Sequence, residues 1–95
     1  MKTESTMTRG ETAKCLKAYC EGAFQGDVFM VFNAGEAVYK IFFEVSPDSM
    51  GKITVFEQDQ IEVHVTGTRP ALGSERLNFA ETISFLYNNY VGRMI

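Results

Sequence analysis

Hydrophobic residues recur at two different spacings along this chain, and the spacing changes twice. Between residues 8 and 24, and again from Asn78 to the end, apolar positions follow the period of an amphipathic helix. Between residues 28 and 66 they alternate with polar positions, which is the period of a strand. The pattern therefore predicts a helix, then strands, then a second helix.

The start of the first helix carries a recognisable signal. Thr8 is followed three residues later by Glu11, a capping-box pattern in which two side chains satisfy backbone donors that a helix start leaves unpaired. The predicted helix runs to about Phe24, and Gly22 and Gly26 mark its end.

The last helix begins with the same type of signal, at Asn78 and Glu81. Its apolar stripe is Phe79, Ile83, Leu86, Tyr87, Tyr90, Val91 and Met94. With that stripe facing the core, Phe85 points away from it, beside Asn88 and Asn89. We interpret Phe85, Asn88 and Asn89 as a secondary contact surface.

Four strands are predicted between the helices, at 28–32, 37–45, 52–57 and 61–66. A turn at 33–36, a loop at 46–51 and a three-residue turn at 58–60 connect them, and an eleven-residue loop at 67–77 leads to the last helix. Short connections favour an antiparallel meander. The predicted fold is an α+β two-layer sandwich in which both helices pack on one face of a four-stranded sheet. We expect a single domain over 1–95, with residues 1–7 a frayed polar lead.

Matching the inner faces of the strands proposes a register. Phe32 pairs with Ala37, Phe43 with Val55, and Val55 with Val63. The outer face then places Phe42 opposite Phe56, and Thr54 between Glu44 and His64. This register gives the outer face an apolar cluster and a charged border. The residues are Phe29, Val31, Val38, Phe42 and Phe56, bordered by Lys40, Glu44, Glu62 and His64.

The stretch VYKIFFEV, residues 38–45, is unusual because it is apolar on both faces. Three explanations are open. The outer cluster binds a partner or a second subunit, it is covered by the N-terminal tail or the 67–77 loop, or it is a tolerated aromatic surface stabilised by cross-strand pairs. We favour the first. The predicted partner-binding residues are Phe29, Val31, Val38, Lys40, Phe42, Phe56, Glu62 and His64.

Charge narrows the choice of partner. The formal net charge is −3, and no run of Lys and Arg develops, so nucleic acid is a disfavoured partner. No apolar run reaches membrane-spanning length, and the polar N-terminus does not resemble a signal peptide. Cys15 and Cys20 lie about 140° apart on a helix and cannot bridge within it. We therefore expect a cytoplasmic protein.

Catalytic and metal-binding patterns are weak. His64 is the only histidine, and the sheet face around it is predicted to be flat rather than cleft-like. The cysteines lack zinc-site spacing, and the glycines do not form a phosphate loop. We predict no enzyme activity, metal or cofactor. Arg69 and Arg76, in the 67–77 loop, are further candidates for the secondary contact surface and could bind a carboxylate or phosphate. We favour the alternative that the loop serves only to span the sheet.

The leading hypothesis is a small non-catalytic protein-binding module of the inhibitor, accessory or anti-defence type, acting through its outer sheet face, with a homodimer as one possible form. One alternative is a single-stranded nucleic-acid platform that uses Phe29, Phe42 and Phe56 for stacking. The other is a small-ligand domain with a pocket lined by Tyr19, Tyr39, Tyr87 and Tyr90.

Overall fold

The computed structural model describes residues 8–66 and 76–92. Its elements, in chain order, are α1 (Arg9–Ala23), β1 (Phe29–Asn33), β2 (Val38–Ser46), β3 (Ser49–Glu57), β4 (Gln60–Val65) and α2 (Phe79–Leu86), and a π-helical turn (Tyr87–Val91) follows α2. The strands form one antiparallel sheet in the order β1-β2-β3-β4. This confirms the predicted element order, the meander and the α+β class. The predicted frayed lead, Arg69 and Met94 lie outside the described residues.

The core lies between the two helices and one face of the sheet. α1 contributes Leu16 and Cys20, and α2 contributes Leu86. Their buried partners on the strands are Ile41, Phe43, Ile53, Val55, Ile61, Val63 and Val65. Because strand side chains alternate between faces, these odd-numbered positions share one side of the sheet. The prediction that both helices cover the same face is confirmed.

Both helices begin with the same five-residue capping arrangement. Thr8 and Asn78 are N-caps, and each forms a capping box with the glutamate three residues later, as predicted. The next residue in each helix is a buried threonine whose hydroxyl donates to the N-cap carbonyl, Thr12 at 2.9 Å and Thr82 at 2.8 Å. That bond lets a polar residue occupy the buried face of each helix.

The buried threonine rotates α2 away from the orientation that the sequence suggested. Thr82 and Leu86 are fully buried, so they mark the centre of the inward face. Phe85 lies only about 60–80° from that centre on a helical projection, and it packs against the core. The prediction that Phe85 points away from the core is therefore wrong, whereas Tyr87, predicted to face inward, is exposed.

The predicted strand registers are wrong by an even number of residues. Phe32 pairs with Tyr39 rather than Ala37, Phe43 with Gly51 rather than Val55, and Val55 with Ile61 rather than Val63. Shifts of two or four residues keep every side chain on its predicted face. The inner and outer faces are consequently as predicted, but the neighbours across the strands are not.

The position of the first turn and the length of the other two account for these shifts. In the first hairpin, Ala37 adopts a left-handed conformation with φ of 59° and its N–H donates to the Asn33 carbonyl, so the turn occupies residues 34–37. In the second hairpin, Ser46 pairs with Ser49, which leaves only Pro47 and Asp48 in the turn. The predicted 46–51 loop is wrong, because residues 49–51 belong to β3.

Gly51 lies inside β3, although the sequence predicted it in a loop. A side chain at Gly51 would overlap the ring of Phe43, its cross-strand partner. The Phe43 ring is fully buried and stacks on Phe24, with ring centroids 4.8 Å apart. A glycine inside a strand commonly marks such a close approach. Its role here is to accommodate an aromatic ring rather than to form a loop.

Candidate functional site

The outer sheet face is built from two complete rows of residues that run across the strands. The first row is Phe29, Phe42, Lys52 and His64, and the second is Val31, Lys40, Thr54 and Glu62. Phe42 therefore lies opposite Lys52 rather than Phe56, and Thr54 lies opposite Glu62 rather than beside His64. Both corrections follow from the shorter turns.

Part of the predicted apolar cluster is covered by the chain itself. The Arg76 guanidinium lies over the Phe56 ring, 3.9 Å from its centroid. Its Nε donates to Glu62 Oε2 at 3.1 Å, and its Nη1 donates to Gln60 Oε1 at 3.0 Å. Val38, on the same face, is only 3% exposed. These contacts remove Phe56, Val38 and Glu62 from the open part of the face.

A backbone bridge holds Arg76 in this position. Leu77 and Ile61 exchange two backbone hydrogen bonds, of 2.9 and 2.8 Å, in an antiparallel bridge at the edge of β4. Since side chains alternate along an extended chain, a Leu77 aligned with the inward-facing Ile61 directs Arg76 to the outer face. Arg76 was predicted as a possible anion-binding residue, and its guanidinium is engaged by Glu62, Gln60 and Phe56.

Four apolar residues lie on the open part of the outer face. Phe29 is 57% exposed, Val31 48% and Met50 44%, and Phe42 between them is half-buried. We call Phe29, Val31, Phe42 and Met50 the outer-face patch. Met50 was missed because it was assigned to a loop. The Pro47-Asp48 pair, which suits a two-residue turn, was the signal that would have extended the strand back to it.

The charges next to the outer-face patch are mainly positive. Lys52 and His64 line a depression of about 400 Å³ together with Phe42 and Met50. No acidic side chain among the described residues forms an ion pair with Lys52. Lys40 lies beside the patch and pairs with Glu36 at 3.9 Å. The open part of the face therefore combines apolar and cationic groups.

Neither of the two glutamates predicted to border the cluster forms an ion pair with Lys52. Glu62 accepts a hydrogen bond from Arg76. Glu44 packs against the loop after α1, where a Cβ on Gly26 would lie 2.5 Å from its Oε1. A register irregularity between Glu44 and Ser46 accompanies this arrangement. Neither glutamate neutralises Lys52.

The titratable groups do not form a catalytic arrangement in the part of the chain that is described. His64 is exposed and lies opposite Lys52. No group of three or more His, Cys, Asp or Glu side chains that could hold a metal is found in residues 8–66 and 76–92. Cys15 is exposed, Cys20 is buried, and neither forms a disulfide. Burial raises the pKa of the Cys20 thiol to about 12, which keeps it protonated and unreactive.

The four tyrosines do not line a common pocket. Tyr19 and Tyr87 border a depression of about 390 Å³ between α1 and the π-helical turn. Burial raises the pKa of the Tyr19 hydroxyl. Tyr39 instead packs against Phe32, with ring centroids 4.7 Å apart, and Tyr90 lies edge-on to Phe85. Tyr39 and Tyr90 therefore do not line the depression that Tyr19 and Tyr87 border.

The predicted secondary contact surface is also divided. Asn89 Nδ2 donates to the Phe85 carbonyl at 2.9 Å, which fixes Asn89 against its own helix. Asn88 is exposed, whereas Phe85 packs against the core. The three residues therefore do not share one open face.

Comparison with known proteins adds no assignment. No family model matches the chain, and no curated protein and no solved structure matches it. Neither helix in the described parts of the chain is long and apolar enough to cross a membrane.

Proposed function

We propose that the protein is a non-catalytic binding module of the inhibitor, accessory or anti-defence type. Its outer-face patch binds an apolar protein surface bordered by acidic side chains. The observation that carries this proposal is the row in which exposed Phe29 and half-buried Phe42 continue directly into Lys52 and His64.

The apolar part of the argument rests on exposure. Single exposed hydrophobic residues are common, but contiguous apolar patches on small proteins tend to be interaction sites. Phe29 and Phe42 are direct cross-strand partners, and Val31 is the next outward-facing residue on β1. These residues form one continuous surface.

The acidic part of the argument rests on local charge. The chain carries a formal net charge of −3, so its overall field repels an acidic partner. Lys52 lies at the centre of the open face and reverses that preference locally, since no acidic side chain among the described residues forms an ion pair with it. A carboxylate at the edge of an apolar contact would pair with Lys52.

Selection from a displayed peptide library against the immobilised full chain tests this proposal. We expect enriched peptides to have an apolar centre flanked by Asp or Glu, and their binding to weaken with salt. Met50→Glu and Lys52→Glu should each reduce the affinity of these peptides by roughly tenfold or more. Lys14→Glu is the matched charge-reversal control, because Lys14 is exposed on α1 and away from the outer face.

The result that would overturn the proposal is equally specific. If enriched peptides bind Met50→Glu, Lys52→Glu and Lys14→Glu with equal affinity, the outer-face patch is not their site. Enrichment of basic rather than acidic peptides would contradict the charge argument. Circular dichroism of each variant confirms that the loss of binding is not a loss of folding.

A single-stranded nucleic acid is the second candidate for the same patch. The observation in its favour is that Glu62, one of the two glutamates that argued against phosphate binding, is paired with Arg76. Stacking on Phe29 and Phe42 beside Lys52 would suit unpaired bases. Fluorescence anisotropy with a labelled oligothymidylate of about ten nucleotides tests this candidate. Salt-sensitive binding that Lys52→Glu abolishes would favour it over a protein partner.

A cytoplasmic location is part of the same proposal. Cys15 and Cys20 are not joined in a disulfide, which is typical of a reducing compartment.

A further inference from the structure

The two edges of the sheet differ in how they are protected. At the β4 edge, Leu77 pairs with Ile61, and the strand carries Glu62 and His64. At the other edge, the segment from Val28 to Asn33 contains no charge and no proline, and β1 pairs with β2 without a bulge. Natural proteins usually protect an edge strand with one of these features. Within residues 8–66 and 76–92, nothing of this kind protects the β1 edge.

β1 is also apolar on both faces. Phe29 and Val31 face outward, and Phe32 lies on the inner face yet remains 51% exposed beside Tyr39. Of the large hydrophobic residues exposed in the described parts of the chain, three lie on this one strand. A partner that packed flat on the outer face would leave Phe32 uncovered. A strand added beside β1 would approach the residues of both faces.

Backbone geometry specifies the type of partner. Successive strand residues direct their N–H and C=O groups alternately to the two edges. Among the strands that the structure describes, β1 has a neighbour on one side only. The other edge therefore presents backbone groups that an extended strand satisfies.

We propose that β1 pairs antiparallel with β1 of a second copy of this chain, so that two sheets join into one continuous sheet of eight strands. A two-fold axis at Val31 places it opposite Val31 of the partner subunit. Met30 then lies opposite the partner's Phe32, and Phe29 opposite the partner's Asn33. The seam shares Phe29 and Val31 with the outer-face patch. The two proposals are tested separately, because Met50 and Lys52, whose variants test the proposed function, lie on β3, away from the seam.

Charge favours a second copy in this register. Every residue paired across the seam is uncharged. The nearest like charges in the Val31 row are Lys40 and Lys40 of the partner subunit, three strand spacings apart. That separation is about 14 Å, beyond the screening length of about 8 Å at physiological salt. Self-pairing therefore brings together two acidic chains at a neutral strand.

The protected β4 edge limits the assembly to two chains. Growth beyond a dimer would need β4 as a second pairing edge, and Leu77 already occupies it at Ile61. A two-fold pairing of β1 with itself uses the same edge of both chains and is closed. Because β1 has only five residues, we expect a concentration-dependent dimer, weaker than those with interfaces of standard size.

Substitutions at Val31 test the pairing and its register together. Val31→Glu places a carboxylate opposite Lys40 within its own chain, which favours the folded monomer. In the dimer it would place two carboxylates opposite each other across the two-fold axis, which disfavours the pairing. Val31→Lys likewise opposes two ammonium groups. An equimolar mixture of the two variants should restore the dimer as a heterodimer, because opposite charges then meet. Met50→Lys is the control. Met50, on β3, is nearly as exposed as Val31 and lies opposite Glu44 of β2, away from the seam.

Sedimentation equilibrium up to about 0.5 mM, a range that captures weak interfaces, gives the readout. We expect dimers for the wild type and Met50→Lys, monomers for each Val31 variant alone, and dimers for their mixture. A wild type that stays monomeric at every concentration would overturn the proposal, and a foreign strand or another part of the chain would be the occupant of the edge. A dimer that persists in Val31→Glu would also overturn it.

Hydrogen exchange on the wild type gives a second test that needs no variant. Amides of β1 that point away from β2 should become more protected as the protein concentration rises, while amides of β4 should not change. Equal protection of β1 at all concentrations would contradict the self-pairing.

Discussion

At the scale of single residues, Gly51 is a position where one methyl group decides how the core packs. Adding a Cβ there would overlap the Phe43 ring, which is fully buried against Phe24. We expect Gly51→Ala to lower the free energy of unfolding by about 1–3 kcal/mol, the usual cost of overpacking. Urea denaturation followed by circular dichroism measures this change.

Gly22 is the matched control for Gly51. It lies within α1, and an added Cβ there would meet no atom within 4 Å. Gly22→Ala should therefore raise the free energy of unfolding by up to about 1 kcal/mol, through the higher helix propensity of alanine. Equal destabilisation by both substitutions would show that the contact between Gly51 and Phe43 is not the cause.

Cys20 makes stability depend on pH in the alkaline range. Its pKa is raised from about 9 to about 12, mainly by burial. The unfolded chain then loses this proton near pH 9 while the folded chain keeps it. The stabilisation is complete below that pH and decreases as the pH rises towards 12. The slope should be about −1.4 kcal/mol per pH unit from this group alone.

Urea denaturation at about pH 8 and about pH 10 tests this prediction, with Cys20→Ala as the variant that lacks the thiol. Tyr19, whose pKa is also raised, adds a decline of the same sign at higher pH. A wild type whose stability falls no more steeply than that of Cys20→Ala would contradict the assignment. Cys15→Ala is the control, because Cys15 is exposed.

At the scale of the elements, the two capping boxes fix where the helices begin. The Asn78 side chain accepts from the Glu81 N–H at 2.8 Å, and the Asn78 N–H donates to Glu81 Oε1 at 2.9 Å. We expect Asn78→Ala to lower the free energy of unfolding by about 1 kcal/mol, since it removes the acceptor. Asn78→Asp keeps the acceptor and places a negative charge at the helix N-terminus, so its stability should be unchanged or higher.

Thermal denaturation of the two Asn78 variants distinguishes these outcomes. A lower midpoint for Asn78→Ala alone would assign the effect to the cap. If Asn78→Asp were as destabilised as Asn78→Ala, the amide donor would be the important group, and the capping assignment would be wrong.

The elements also show which parts of the fold the sequence could predict. Helix starts were predictable because the cap residues are local, three positions apart. The sheet faces were predictable because alternation constrains parity. Registers were not, since shifts of two or four residues preserve parity. The position and length of each turn decide between the possible registers. Here these are set by the left-handed Ala37 and by the two-residue turn at Pro47 and Asp48.

At the scale of the whole molecule, the candidate site depends on contacts between distant parts of the chain. Phe29, Val31 and Phe42 were recognised from alternation, and they remain the open part of the outer face. Cover of Phe56 by Arg76, twenty residues later in the chain, depends on the bridge between Leu77 and Ile61. No local pattern predicts such a bridge. The alternation of residues therefore predicted the correct face of the sheet, but the predicted exposed apolar area was larger than the area that the structure leaves open.

Arg76 consequently controls how much of the outer face is open. Its guanidinium contacts the Phe56 ring, Glu62 and Gln60 at once. Arg76→Ala should lower the free energy of unfolding by only about 1 kcal/mol, because the side chain is 46% exposed and solvent screens its ion pair. It should also expose Phe56 and increase the binding of a hydrophobic dye such as ANS.

Arg76→Lys separates the two contributions to this cover. A lysine keeps the positive charge near Glu62 but loses the planar guanidinium that contacts the ring and both oxygens. We expect dye binding close to that of Arg76→Ala and a smaller loss of stability, because charge alone does not cover the ring. If Arg76→Ala binds no more dye than the wild type, another part of the chain must cover Phe56. The open part of the outer face would then be limited to the outer-face patch, independently of the side chain at position 76.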